Sequence, residues 1–215
     1  MKRTIKTTLV SSLVMLMLFI ILEPQLAKGV GDAVTVTQAV TEEITISSPT
    51  DVTMSPSIAG MTGGSSTGSA TWNIKTNNTT GFNMALKAGA NPALASGSDT
   101  FADYTEGTPD TPDYTWSVAA ADSEFGYSVE PATATDATLM FKDNGTTTCG
   151  TGSTQTTDKC WVKFKTTDVI GINRSTLTAS TGEDEVVKFK AQSGASHFQP
   201  EGSYTATITA TAVVN

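Results

Sequence analysis

Apolar residues fall in two patterns along this chain. From Leu9 to Leu22 they are nearly continuous; afterwards they recur at every second position, in short runs bounded by Gly, Pro, Asn and Asp. A period of two marks half-buried strands. The last run is the cleanest, with Tyr204, Ala206, Ile208, Ala210 and Ala212 on one face and Thr205, Thr207, Thr209 and Thr211 on the other. Ala70, Trp72 and Ile74 form a second apolar face, and Phe82, Met84 and Leu86 a third. The short polar stretch Asn77-Asn78-Thr79-Thr80-Gly81 between these two predicts a β-hairpin. The same period predicts strands at residues 40–46, 51–54, 114–118, 125–129 and 137–141. Within 114–118 it turns Tyr114, Trp116 and Val118 inward. Two further strands place Cys160, Val162 and Phe164 together over 160–165, and Val187, Phe189 and Ala191 together over 185–191. The set comes to about ten strands.

No stretch beyond residue 29 carries the 3.6-residue period of an amphipathic helix, and Thr, Ser, Gly and Ala dominate there. The expected fold is therefore all-β: a single antiparallel β-sandwich, immunoglobulin-like with Greek-key connections, over residues 30–215. Residues 89–113 lack alternation and are expected to form an excursion at one end of the sandwich. Residues 57–69, with Gly60, Gly63, Gly64 and Gly68, read as too glycine-rich for a strand. No repeat or linker divides the chain.

The first 29 residues read as a secretory signal peptide. Met1, Lys2, Arg3 and Lys6 make a basic start, the apolar run follows, and Ala27-Lys28-Gly29 places small side chains where cleavage before Val30 requires them. The rival reading is an uncleaved anchor, since residues 7–22 come close to the lower limit of length for crossing about 30 Å of hydrocarbon. Ser11, Ser12 and the ending Glu23-Pro24 favour the removed peptide. No second apolar span exists, and the carboxyl end carries no sortase-type signal.

Removal of residues 1–29 takes Lys2, Arg3, Lys6, Lys28 and Glu23 from 13 basic and 21 acidic residues, leaving 186 residues with a net charge of about −11. Such a surface repels nucleic acid and anionic lipid, so neither is an expected partner of the mature chain. In an exported chain the two cysteines, Cys149 and Cys160, are expected to form a disulfide that closes a short loop.

Candidate chemistry is sparse. His197 is the sole histidine and reads as a loop residue, and Ser196 beside it cannot serve as its nucleophile by adjacency alone. Asp110 with Asp113, Asp122 with Glu124, and Glu183-Asp184-Glu185 read as solvated turns, because none has the spacing of a calcium loop. No catalytic residue, metal ligand or cofactor site is expected. Trp72 and Trp116 share the phase of core residues, whereas Trp161 is out of phase with Val162 and Phe164, which makes it the candidate ligand-facing aromatic. Glycosylation sequons stand at Asn77, Asn78, Asn144 and Asn173, all in expected turns.

The segment Ala70-Thr71-Trp72-Asn73-Ile74-Lys75-Thr76-Asn77-Asn78, followed by Gly81-Phe82-Asn83-Met84 and the closing residues 202–210, resembles secreted bacterial surface β-sandwich proteins of the WxL-like kind. Where that family has Trp-x-Leu, this chain reads Trp72-Asn73-Ile74, Trp116-Ser117-Val118 and Trp161-Val162-Lys163. The resemblance implies a cell-surface location and binding to wall peptidoglycan. Together these features predict a secreted, non-enzymatic structural or adhesive protein, with surface proteins, glycans or further copies of itself as partners. One alternative is a filament subunit in which Val34-Thr35-Val36-Thr37, or the last strand, completes a neighbour's sheet. Another is a carbohydrate-binding module built on Trp161 and residues 89–113.

Overall fold

A computed structural model describes residues 31–215; the expected signal peptide lies outside them. The chain divides after Val40. Residues 31–40 are extended and exposed throughout and belong to no strand. The larger unit is Thr41–Asn215.

That unit is all-β, and nine strands stand among the described residues. They are β1 (Ile44–Ile46), β2 (Gly64–Thr76), β3 (Phe82–Ala88), β4 (Leu94–Ser96), β5 (Asp99–Asp103), β6 (Ser123–Glu130), β7 (Val169–Arg174), β8 (Glu183–Ser193) and β9 (Ile208–Val214). The larger sheet has the order β1-β2-β8-β6-β5-β4 and curls into a half-barrel. The smaller has the order β7-β3-β9. All pairs are antiparallel except β5 with β6.

The core lies between the sheets. Trp72 and Ile74 from β2, Phe125, Tyr127 and Val129 from β6, and Val187 and Phe189 from β8 meet Phe82, Met84 and Leu86 from β3 and Ile172 from β7. Phe164 stacks on Tyr127 with ring centroids 4.1 Å apart. Each such side chain, fully buried, contributes about 1.5–3 kcal/mol.

The expected hairpin of residues 70–86 is not one, because β2 and β3 lie in different sheets. Alternation says which face of a strand is apolar but not which strand lies beside it, and strands facing one core from opposite sheets share the pattern. The crossing is a tight turn. The Asn78 side chain accepts the Thr80 N–H at 2.7 Å, and Gly81 has φ of 83°. A Cβ on Gly81 would lie 2.1 Å from the Arg174 carbonyl oxygen.

Other expectations are corrected in the same way. The glycine-rich residues 64–69 are part of β2; Gly68 is needed there because Val52 crosses so closely that a Cβ would lie 2.6 Å from its side chain. Within 89–113 stand β4 and β5, too short to show a period. Residues 51–54 and 114–118 form no strand, and only Ile44–Ile46 of residues 40–46 do. Residues 137–141 contain a 3-10 turn, Leu139–Phe141, fixed by the buried Phe141 ring, and Thr138 N–H donates to the Gly171 carbonyl. Of 160–165, only Trp161 and Val162 pair, with Asp113 and Tyr127. The unforeseen β7 faces a register shift between Met84 and Ala85, which breaks its alternation. Across the expected closing strand the phase holds, with Ala206, Ile208, Ala210 and Ala212 half-buried and the threonines exposed.

Candidate functional site

Six strands face three, so part of the larger sheet's inner surface has no strand over it. There the molecule opens into a groove of about 1430 Å³. Residues 49–61 form one wall, with Val52, Met54 and Ile58; residues 198–208 form the other, with Tyr204, Ala206 and Ile208. The floor is apolar: Ala70, Trp72, Leu94, Phe101, Phe125, Phe189 and Ala191. At the rim, Met61 is 75% and Phe198 70% exposed. The floor side chains are themselves buried, so the apolar surface open to solvent is at the rim, at Met61 and Phe198.

The second wall is also an unpaired sheet edge. Gly89 N–H donates to the Thr207 carbonyl, while Thr205 and Ala95 exchange both backbone hydrogen bonds, at 2.8 and 3.1 Å. Odd-numbered residues from Thr207 on therefore turn their backbone groups toward β3, and Thr205 turns its own toward Ala95 of β4. Ala206, Ile208, Ala210 and Ala212 turn theirs the other way, where no backbone partner stands among the described residues. β1 comes near β9 without a ladder forming between them. Edge groups left this way are a template for another strand.

Among the described residues, the only charged side chains lining the groove are Asp51 and Glu201. The groove therefore offers an apolar lining with a weakly acidic character.

The residues singled out in the sequence lie elsewhere. Cys149 and Cys160 form the expected disulfide, with Cα atoms 5.7 Å apart. The same loop is tied by the buried Asp143, whose carboxylate accepts from Gly145 N–H at 2.7 Å, Thr156 N–H at 2.8 Å and the Thr156 hydroxyl at 3.0 Å.

Trp161 is not the exposed aromatic expected. It is 3% exposed, lies edge-on to Trp116 with centroids 5.5 Å apart, and donates its Nε1–H to the Asp158 carbonyl at 3.1 Å. Tyr104 stacks on Trp116 at 4.2 Å, so the three rings form a second cluster on the outer side of β6. The Lys190 ammonium sits 5.5 Å from the Trp116 ring centroid and 5.6 Å from that of Trp161, and burial holds its pKa below the usual lysine value. The surface over these rings is a dent of about 530 Å³. Its indole faces are taken by Lys190 and by other rings, which removes the platform a sugar ring would stack on. Trp72 and Trp116 are buried, as their phase predicts.

His197 is half-buried with Nδ1 3.0 Å from the Ala121 carbonyl, and no hydrogen bond joins it to the Ser196 side chain. Asp110 is a turn residue, as expected, bridging Lys165 at 3.0 Å and Lys163 at 3.3 Å; their ammonium groups hold its carboxyl below the usual range. Two acids are not solvated. Burial raises Glu124, although Thr105 N–H donates to it at 3.3 Å. Glu185 is fully buried in β8, with Ala132 N–H donating to Oε2 at 3.2 Å and no partner for Oε1.

Burial pushes Glu185 up to about 7, and Asp136 and Glu183 add repulsion. Arg174 offsets little, because its guanidinium is engaged by Asp136 at 2.9 Å and Glu183 at 3.3 Å. The sequence did hold a signal, since Glu185 stands in phase with Val187, Phe189 and Ala191. Among the described residues no three His, Cys, Asp or Glu side chains are placed to hold a metal, and no helix is long and apolar enough to cross a membrane.

No family model matches the chain, and no curated protein or solved structure shows significant similarity to it.

Proposed function

We propose that this chain is a non-enzymatic structural or adhesive protein, exported to a cell surface, that works by accepting a β-strand into the groove between its two sheets. The observation carrying this reading is the coincidence of an apolar groove with an unpaired edge along one wall. A strand laid there would gain main-chain hydrogen bonds from Ala206 and Ile208, and its alternate side chains would meet the exposed Met61 and Phe198 at the rim. That combination of backbone pairing with side-chain pockets is the physics of strand addition. In this reading the body is an immunoglobulin-like, Greek-key sandwich whose smaller sheet lacks one strand. Export is supported by the basic, apolar and small-residue order of residues 1–29 and by a disulfide, which persists in oxidising compartments. The WxL-like resemblance also favours a surface location, and the acidic mature chain disfavours nucleic acid and anionic lipid as partners.

Ala206→Pro tests the reading. Proline is tolerated at an edge position whose N–H faces away from the sheet, yet it removes a donor that an incoming strand would use. The variant is expected to melt within a few degrees of the wild type while losing affinity for an extended peptide of alternating Val and Thr by at least tenfold. Equal affinity in both proteins would contradict the proposal.

A further inference from the structure

Resting on the strand-acceptor reading, we propose that the occupant of the groove is residues 31–40 of a second copy of this chain, so that copies join head to tail. The segment has the pattern of the edge it would meet. In an extended conformation Val34, Val36 and Val40 share one face, interrupted by Gln38, and Thr35 and Thr37 share the other, as apolar residues and threonines alternate in β9.

Those valines need a cover that the described residues do not give. Val34 is 86%, Val36 87% and Val40 83% exposed. Burying each would be favourable, whereas ordering each residue's backbone is costly. Valine burial and ladder hydrogen bonds therefore exceed the ordering cost only where a groove and an edge are met together. A flat surface would not hold this segment.

Charge and length agree. From Ala33 to Thr41 the chain carries no charged side chain, in a mature protein of net charge about −11, and the acids lining the groove are Asp51 and Glu201. Residues 33–40 span about 26 Å at roughly 3.3 Å per residue, enough to run along the unpaired edge from Ala206 to Ala212. One copy thus presents both a donor and an acceptor, two different surfaces, and such a heterologous contact propagates as an open filament unless the rotation closes a ring.

The experiment uses the processed chain in three forms: wild type, Val34→Asp with Val36→Asp, and Ala206→Pro. Both aspartates replace exposed side chains, so the folded unit should melt as in the wild type. Light scattering is expected to show polymers for the wild type and single chains for each variant alone. Mixing the variants should give one-to-one dimers and nothing longer, since the mixture holds one intact donor and one intact acceptor. Polymers from the double aspartate variant would overturn the inference. So would a wild-type single chain whose residues 31–40 resist protease, because the segment would then lie on its own copy. A synthetic peptide of residues 31–41 separates the two claims. If it fails to bind while an alternating Val and Thr peptide binds in an Ala206-dependent way, the groove is an acceptor and this occupant is wrong. If neither binds, both claims fall.

Discussion

Replacing Glu185 by Gln should reverse part of the protein's pH dependence. Glu185 is fully buried, one carboxyl oxygen has no partner, and Arg174, the cation that acts on its charge, is shared by Asp136 and Glu183. Its folded pKa is about 7 against an ordinary value of 4.5. Between those values the folded protein holds the proton and the unfolded chain does not, so stability falls as pH rises. The contribution is complete below pH 4.5, declines from 4.5 to 7 and is lost above 7. At about 1.4 kcal/mol per pH unit over that window, the loss is on the order of 3 kcal/mol. Glutamine is neutral throughout and close in shape. Urea unfolding followed by tryptophan fluorescence at pH 5 and pH 8 measures both proteins. The wild type should lose on the order of 2–3 kcal/mol more than Glu185→Gln between the two, and the variant should be the more stable at pH 8. Comparison of the two cancels the other titrating groups, including Glu124 and Asp103, which burial also raises. Parallel stability profiles for the two proteins would refute the reasoning.

Two further outcomes are expected. Replacing both Cys149 and Cys160 by Ser opens the loop and should cost about 3 kcal/mol in the chain-entropy model, read as a lower urea midpoint with an unchanged or larger slope. Gly126→Ala should destabilise by about 1–3 kcal/mol, since its Cβ would lie 2.7 Å from the Val162 carbonyl and 2.8 Å from the Tyr104 side chain; near-ultraviolet circular dichroism from the Tyr104, Trp116 and Trp161 cluster reports the shift.

Strand faces were legible in the sequence because each needs only local alternation. Trp72, Met84, Phe125, Phe189 and Ala210 all lie on the side their phase predicts, and the disulfide followed from count and spacing. Neighbour relations were not legible. Nothing local says that β2 turns at Asn78 into the other sheet, or that β5 runs parallel to β6. The out-of-phase position of Trp161 suggested solvent, yet the outer side of β6 is itself covered, by Tyr104 and Trp116. An alternation rule assumes one wet face, and β6 has none along Ser123–Val129. The candidate groove escaped for a related reason. It follows from a difference in strand number between two sheets, which appears only once the strands are sorted between them. Its proposed occupant was visible as the alternating Val34 and Val36 but gained meaning only when the unpaired edge of β9 was found.

The most direct test of strand acceptance between copies is the mass of the processed chain by size-exclusion chromatography with light scattering, with the disulfide intact. Polymers that shorten as the peptide of residues 31–41 is added are the predicted result. A single chain at high concentration, unchanged by the peptide, would contradict it.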